Sequence, residues 1–199
     1  MLDDSSVIRQ AAARAAAPPV ERDARLLAYL RDRLARPELR LAGPALPVLG
    51  GTEARILSFQ LENAPPPFEG PLILRQFRPK MTPERCAVEA GIHDAVSAAG
   101  IETPGCLLNE PDRRVLGGAF LVLEHVEGEA MLGEIAVAAL GSKLRPGRVG
   151  RALRDAAGAW SGLPDALART VLRLAELDGE AVEAAIAARG GRPEFLGVD

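Results

Sequence analysis

The first clear period in the chain is helical. Between Val20 and Leu34 the apolar residues Leu26, Leu27, Leu30 and Leu34 recur three and four positions apart among charged neighbours, and Pro37 follows. That spacing lines one face of an amphipathic helix, with the proline as its stop. The preceding stretch, residues 1 to 19, is rich in alanine and ends in Pro18-Pro19. Alanine's propensity allows a frayed helix there, but one without an apolar face to dock.

After Pro37 the pattern shortens to runs of Ile, Leu, Val and Phe. Ala45 to Leu49, Arg55 to Leu61 and Pro71 to Phe77 are separated by Gly50-Gly51 and by the proline-rich segment Asn63 to Pro67. These read as three antiparallel strands joined by hairpins. Thr82-Pro83-Glu84 supplies an N-cap, a first-turn proline and an early acid, and Gly100 a stop, so a second helix is predicted over 82–98. Cys106 to Asn109 and Ala119 to Val126 flank the turn segment Glu110 to Arg114 and complete a five-stranded sheet. Beyond Gly128 the periods are helical again, over Leu132 to Leu140, Val149 to Trp160, Pro164 to Leu177 and Glu180 to Arg189. The predicted fold class is α+β: an antiparallel sheet with a helix at 82–98, followed by a helical portion. The expected division is a lead over 1–19, a sheet domain over 20–128 and a helical segment over 129–199.

Composition narrows the function classes. The 199 residues are 48% hydrophobic and 26% charged, enough apolar material for a globular core. A formal charge of -3 removes any electrostatic motive for nucleic acid or an anionic membrane surface as partner. No apolar run reaches the roughly 18 residues that a bilayer span requires. Met1-Leu2-Asp3-Asp4 puts acids where a signal peptide carries positive charge, so a cytoplasmic location is expected. Cys86 and Cys106 are too far apart for a CxxC motif and read as reduced, half-buried thiols. His93 falls beside Val88, Ile92 and Val96 on the second predicted helix and reads as structural, while His125 is solvent-directed. Neither has an acid cluster around it to make a metal site.

Three segments carry candidate chemistry. Gly50-Gly51-Thr52 lies between two predicted strands, where glycines let backbone N–H groups approach an anion. The same pair also serves an ordinary hairpin turn. Alternation puts Ile73 and Arg75 on one face of their strand, and Glu89 sits near the middle of the next helix. Arg75 and Glu89 are either partners or two surface charges. Phe120 to Gly128 is an apolar strand that ends in a charged, glycine-terminated segment.

Taken together, Gly50-Gly51-Thr52-Glu53-Ala54-Arg55, Leu72-Ile73-Leu74-Arg75, Ala87-Val88-Glu89 and Val115 to Gly128 resemble the aminoglycoside phosphotransferase and choline kinase-like superfamily, over roughly residues 20 to 130. The resemblance implies a protein-kinase-like amino-terminal lobe that binds ATP or GTP. On it, Gly50, Gly51 and Thr52 approach the phosphates, Ile73 covers the adenine, and Arg75 reaches the phosphates with Glu89 orienting it. Leu123 lies at the back of the pocket, and Glu124 and Val126 offer hinge backbone groups to the adenine edge. Protein kinases use lysine at the position of Arg75, but arginine's planar fork also pairs with carboxylate and phosphate. Glu53 and Ala54 stand where the family commonly has serine and asparagine. An acid facing phosphate repels it, so weak nucleotide binding is expected.

The family's catalytic loop, His-Gly-Asp followed by asparagine, and its later magnesium aspartate are not found after Gly128. Leu167 to Asp178 resembles the helix that precedes the loop, with Ala175 where histidine is usual. No catalytic or metal-binding residue is therefore expected here, and magnesium matters only if the missing lobe is supplied. The expected function is a nucleotide-binding lobe inactive by itself, the alternative being a pseudokinase-like interaction module that binds no nucleotide. Leu163, Leu167, Val171, Leu174 and Leu177 form a helical stripe expected to seek the missing lobe or a second copy.

Overall fold

The computed structural model describes residues 19–48, 54–79, 81–127 and 162–196. In chain order the elements are α1 (Pro19–Arg33), β1 (Arg40–Leu41), β2 (Leu46–Pro47), β3 (Ala54–Glu62), β4 (Pro71–Phe77), α2 (Glu84–Ala98), β5 (Cys106–Glu110) and β6 (Phe120–Glu124). A helix over 162–175, here α3, and α4 (Gly179–Ala188) follow, then a 3-10 turn at Pro193–Leu196. The class is α+β, as the sequence predicts. The segments expected to be helical at 132–140 and 149–160, and the alanine-rich lead over 1–18, lie outside the described residues.

The sheet is antiparallel throughout, in the order β1-β3-β4-β6-β5, with β2 also on β3. Six strands are present among the described residues where five were expected, because the edge beside β3 comes in two pieces. Arg40 pairs with Glu62 and Leu46 with Ser58. Between the pieces stand Gly43 and Pro44, and a proline has no N–H to give a ladder.

Each face of the sheet has its own helix. Leu26 and Leu30 of α1 are fully buried against Leu57, Phe59, Leu61, Leu72, Leu74, Phe120 and Val122. Tyr29 meets the Phe120 ring edge-on, with centroids 5.2 Å apart. The start of α1 is clamped to the β2 edge: Ala45 N–H donates to Asp23 Oδ2 at 3.0 Å, and Arg22 Nη2 donates to the Ala45 carbonyl at 3.2 Å. On the other face Phe77, Leu121, Leu123 and Cys106 pack with Cys86 and Ala90 of α2. β6 is covered on both sides, which explains its near-continuous apolar run.

Thr82 does not cap α2 as expected. Pro83 occupies the cap position with helical dihedrals and no side-chain bond, and the first turn is closed by Arg85 N–H to Thr82 O and Cys86 N–H to Pro83 O. The far end follows prediction: Gly100 has φ +69°, with its N–H on Ser97 O and the Ile101 N–H on Val96 O, a turn that glycine closes without a Cβ penalty. Asp178 caps α4 by accepting from the Glu180 N–H. Among the described residues no helix is long and apolar enough to cross a membrane.

Candidate nucleotide-facing site

The alternation of β4 divides its side chains between the two layers. Leu72 and Leu74 go to the α1 core, which turns Ile73 and Arg75 to the α2 side, where both keep partial exposure. Residues directly opposite in an antiparallel ladder share a face. Ile56 stands across from Arg75 and Ser58 across from Ile73; on the other side Leu121 opposes Arg75 and Leu123 opposes Ile73. Leu121 and Leu123 are buried beneath α2, whereas Ile56, Ser58 and Ile73 remain half-buried. The open part of this face over β3 and β4 is therefore formed by Ile56 and Ile73 together with the polar Ser58, and Arg75 lies beside Ile56.

Arg75 is fixed from two directions. Its Nε donates to Glu89 Oε2 at 3.0 Å, with Nη2 at 3.5 Å from Oε1, and its guanidinium lies over the Phe77 ring, 5.4 Å from the centroid. Glu89 also accepts from Arg85 Nε at 3.2 Å, one helical turn back. The Arg75 and Glu89 side chains are 27% and 19% exposed, so the pair sits at the boundary of the core with access to solvent. The geometry answers whether these are partners or two separate surface charges. They are partners.

Next to Glu89 lies a shallow hollow of about 130 Å³ lined by Glu89, Ile92, His93, Val96 and Thr103. His93 Nδ1 is 3.0 Å from Thr103 Oγ1, and burial holds its pKa below the ordinary 6.5, as expected for a structural histidine. Cys86 and Cys106 are buried rather than half-buried. Burial pushes their thiols up to about 12 and about 11. Cys86 Sγ donates to Phe120 O at 3.1 Å.

At the end of β6, Leu123 is buried, and Glu124, His125 and Val126 are exposed. Gly105 holds Glu124 twice: the Glu124 N–H donates to Gly105 O at 2.9 Å, and Glu124 Oε2 accepts from Gly105 N at 3.2 Å. A Cβ on Gly105 would lie 2.5 Å from that carboxylate oxygen, a contact the exposed Glu124 side chain relieves by rotating. Gly50, Gly51 and Thr52 lie outside the described residues. Among the described residues no group of three or more His, Cys, Asp or Glu is arranged to hold a metal ion.

Ile56, Phe77 and Arg85 belong to this site and were not singled out from the sequence. Phe77 shares the parity of Arg75, and Arg85 is four residues before Glu89, so strand alternation and helix spacing could have found them. Ile56 depends on the β3–β4 register, which no local period encodes.

A sheet with this order, crossed on one face by a helix whose glutamate meets a strand cation, is a protein-kinase-like amino-terminal lobe. The sequence profile of the phosphotransferase enzyme family matches residues 46–195, and the chain belongs to that family. A solved structure from Ralstonia eutropha JMP134, a candidate aminoglycoside phosphotransferase, is similar at 20% identity and a TM-score of 0.37, over 53% of this chain and 28% of that one. The chain thus spans less than a third of that protein's length. No curated protein sequence matches this one.

Proposed function

We propose that this chain supplies the nucleotide-binding lobe of a kinase that phosphorylates a small-molecule hydroxyl group, with ATP or GTP as the donor. The observation that carries the reading is the Arg75–Glu89 pair at 3.0 Å on the solvent-accessible face of β4. Nε and, at 3.5 Å, Nη2 are turned to Glu89, which leaves Nη1 as the arm of the guanidinium fork for phosphate oxygens. Ile56 and Ile73 offer an apolar surface for a purine ring, and Leu123 backs it. Glu124 and Val126, exposed at and just past the end of β6, are assigned to the purine edge, and by the family resemblance Gly50, Gly51 and Thr52 to the phosphates.

The bound nucleotide supplies the phosphoryl group. The residues here bind and orient it, whereas transfer also requires metal ligands and a group that orients the acceptor. The sequence contains no His-Gly-Asp segment. On this reading the chain alone binds nucleotide weakly, with little dependence on magnesium, and transfers no phosphoryl group. Calorimetric titration with ATP and GTP, with and without magnesium, beside a phosphotransfer assay, tests it; turnover by the chain alone would refute the last clause.

One observation favours a second reading, an interaction module that needs no nucleotide. Leu167, Val171, Leu172 and Leu174 of α3 are 41% to 64% exposed, an apolar surface suited to a further lobe or a second copy. Absence of nucleotide binding, together with self-association through α3, would favour this reading.

A further inference from the structure

The helix that carries Glu89 is also held from the flank away from Arg75. α4 lies directly against α2, with Ile186 fully buried. Gly91 is where the two backbones meet: a Cβ there would clash with Ile186 Cα and stand 2.6 Å from Ile186 N and 2.9 Å from Ala185 C. Three residues on, Asp94 is gripped by both arms of Arg189, Nε to Oδ2 at 2.5 Å and Nη2 to Oδ1 at 2.8 Å. The same guanidinium donates to the Cys106 carbonyl at 2.7 Å, and the Arg189 carbonyl accepts from Asn109 Nδ2 at 3.2 Å. α4 is therefore tied to β5 as well as to α2.

At about 100° per residue, Gly91 lies about 160° around α2 from Glu89, and Asp94 about 140°. Cys86 and Ala90, between the two, face the sheet. α2 is thus wedged: α4 presses one flank, and Arg75 meets the other through Glu89. A packed helix responds to a lost neighbour by shifting as a body, because close-packed interiors transmit displacement.

The geometry points to Arg189 as a positioning residue: through Asp94 and the Ile186–Gly91 contact, α4 buttresses α2 in the position where Glu89 meets Arg75. Its consequence for nucleotide affinity rests on the function proposed above, but its consequence for the ion pair does not. Segment 179–189 thereby bears on a site to which it contributes no contact.

The test uses the full chain and two readouts. The first is solvent exchange of the Arg75 Nε proton by 15N NMR, with the resonance assigned by its loss in Arg75→Lys. The second is ATP titration. In Arg189→Ala the Arg75 proton is expected to exchange about tenfold faster or more, as expected when a local opening replaces a held contact. Arg189→Lys, which keeps the charge but not the fork, is expected to fall between wild type and Arg189→Ala. Leu30→Ala, in the core on the far side of the sheet, controls for general loss of stability and is expected to leave the proton protected. If Arg189→Ala does not fold, Ile186→Val and Arg189→Lys carry the same comparison. A folded Arg189→Ala with wild-type protection at Arg75 overturns the buttress. Accelerated exchange in a chain whose wild type binds no ATP upholds the buttress and refutes the nucleotide reading; unchanged exchange with normal ATP binding does the reverse.

Discussion

Glu89 Oε2 accepts from Arg75 Nε at 3.0 Å while Glu89 Oε1 accepts from Arg85 Nε at 3.2 Å, so one carboxylate orients a strand cation and a helix cation together. If that arrangement serves phosphate, Arg75→Ala is expected to weaken nucleotide binding by about tenfold or more, the worth of a charge-assisted contact. Thermal stability should change by about 1 kcal/mol or less, since the pair is partly solvent-exposed. Glu89→Gln, which keeps the shape but loses the charge, is expected to weaken binding to a smaller degree. Titration and thermal melts of the same samples measure both.

His93 makes stability pH-dependent. Burial lowers its folded-state pKa below 6.5, so the unfolded chain takes up a proton first as the pH falls. Its contribution is fully present above the unfolded pKa and is lost as pH falls through the window between 6.5 and the depressed folded value. Urea midpoints measured from about pH 7.5 down to about pH 5 are expected to fall, with a shallower slope in His93→Gln across the titration range of histidine. Equal slopes would mean that the ring is not buried as described.

The thiols of Cys86 and Cys106 are inert by position. With pKa values raised to about 12 and about 11 by burial, neither forms thiolate at neutral pH. A thiol reagent is expected to label neither in the native chain and both after unfolding. Rapid native labelling would contradict the packing between α2 and the sheet.

Glycine-to-alanine changes separate contact from conformation. Gly91→Ala drives a methyl into the α4 backbone and is expected to cost about 1–3 kcal/mol. Gly43→Ala, with nothing within 4 Å of the new Cβ, should stay within about 0.5 kcal/mol of wild type. Denaturant midpoints decide between the two.

Much of this was legible in the sequence, for definable reasons. Leu26 and Leu30 announce α1 by period, and Gly100 closes α2 by its conformational freedom. Alternation alone puts Ile73 and Arg75 on one face. β1 escaped because two residues, Arg40 and Leu41, carry no period. The failed cap at Thr82 shows a local signal overridden when Pro83 itself enters the turn. The docking of α4 was illegible, since the contact of Gly91 with Ile186 and of Asp94 with Arg189 joins residues some 95 positions apart. A glycine in a helix reads locally only as a weak point. Of the predicted stripe Leu167, Val171 and Leu174 are exposed and Leu163 and Leu177 half-buried, and because Leu172 and the other residues over 164–176 are exposed as well, the exposure does not single out that face.

Calorimetric titration of the wild-type chain and Arg75→Ala with ATP, in the presence and absence of magnesium, tests the central claim most directly. Weak binding is predicted for the wild type, with a dissociation constant of roughly 0.1–1 mM, little changed by magnesium and weakened about tenfold or more in Arg75→Ala. No heat of binding in the wild type, or binding that survives unaltered in Arg75→Ala, would contradict it.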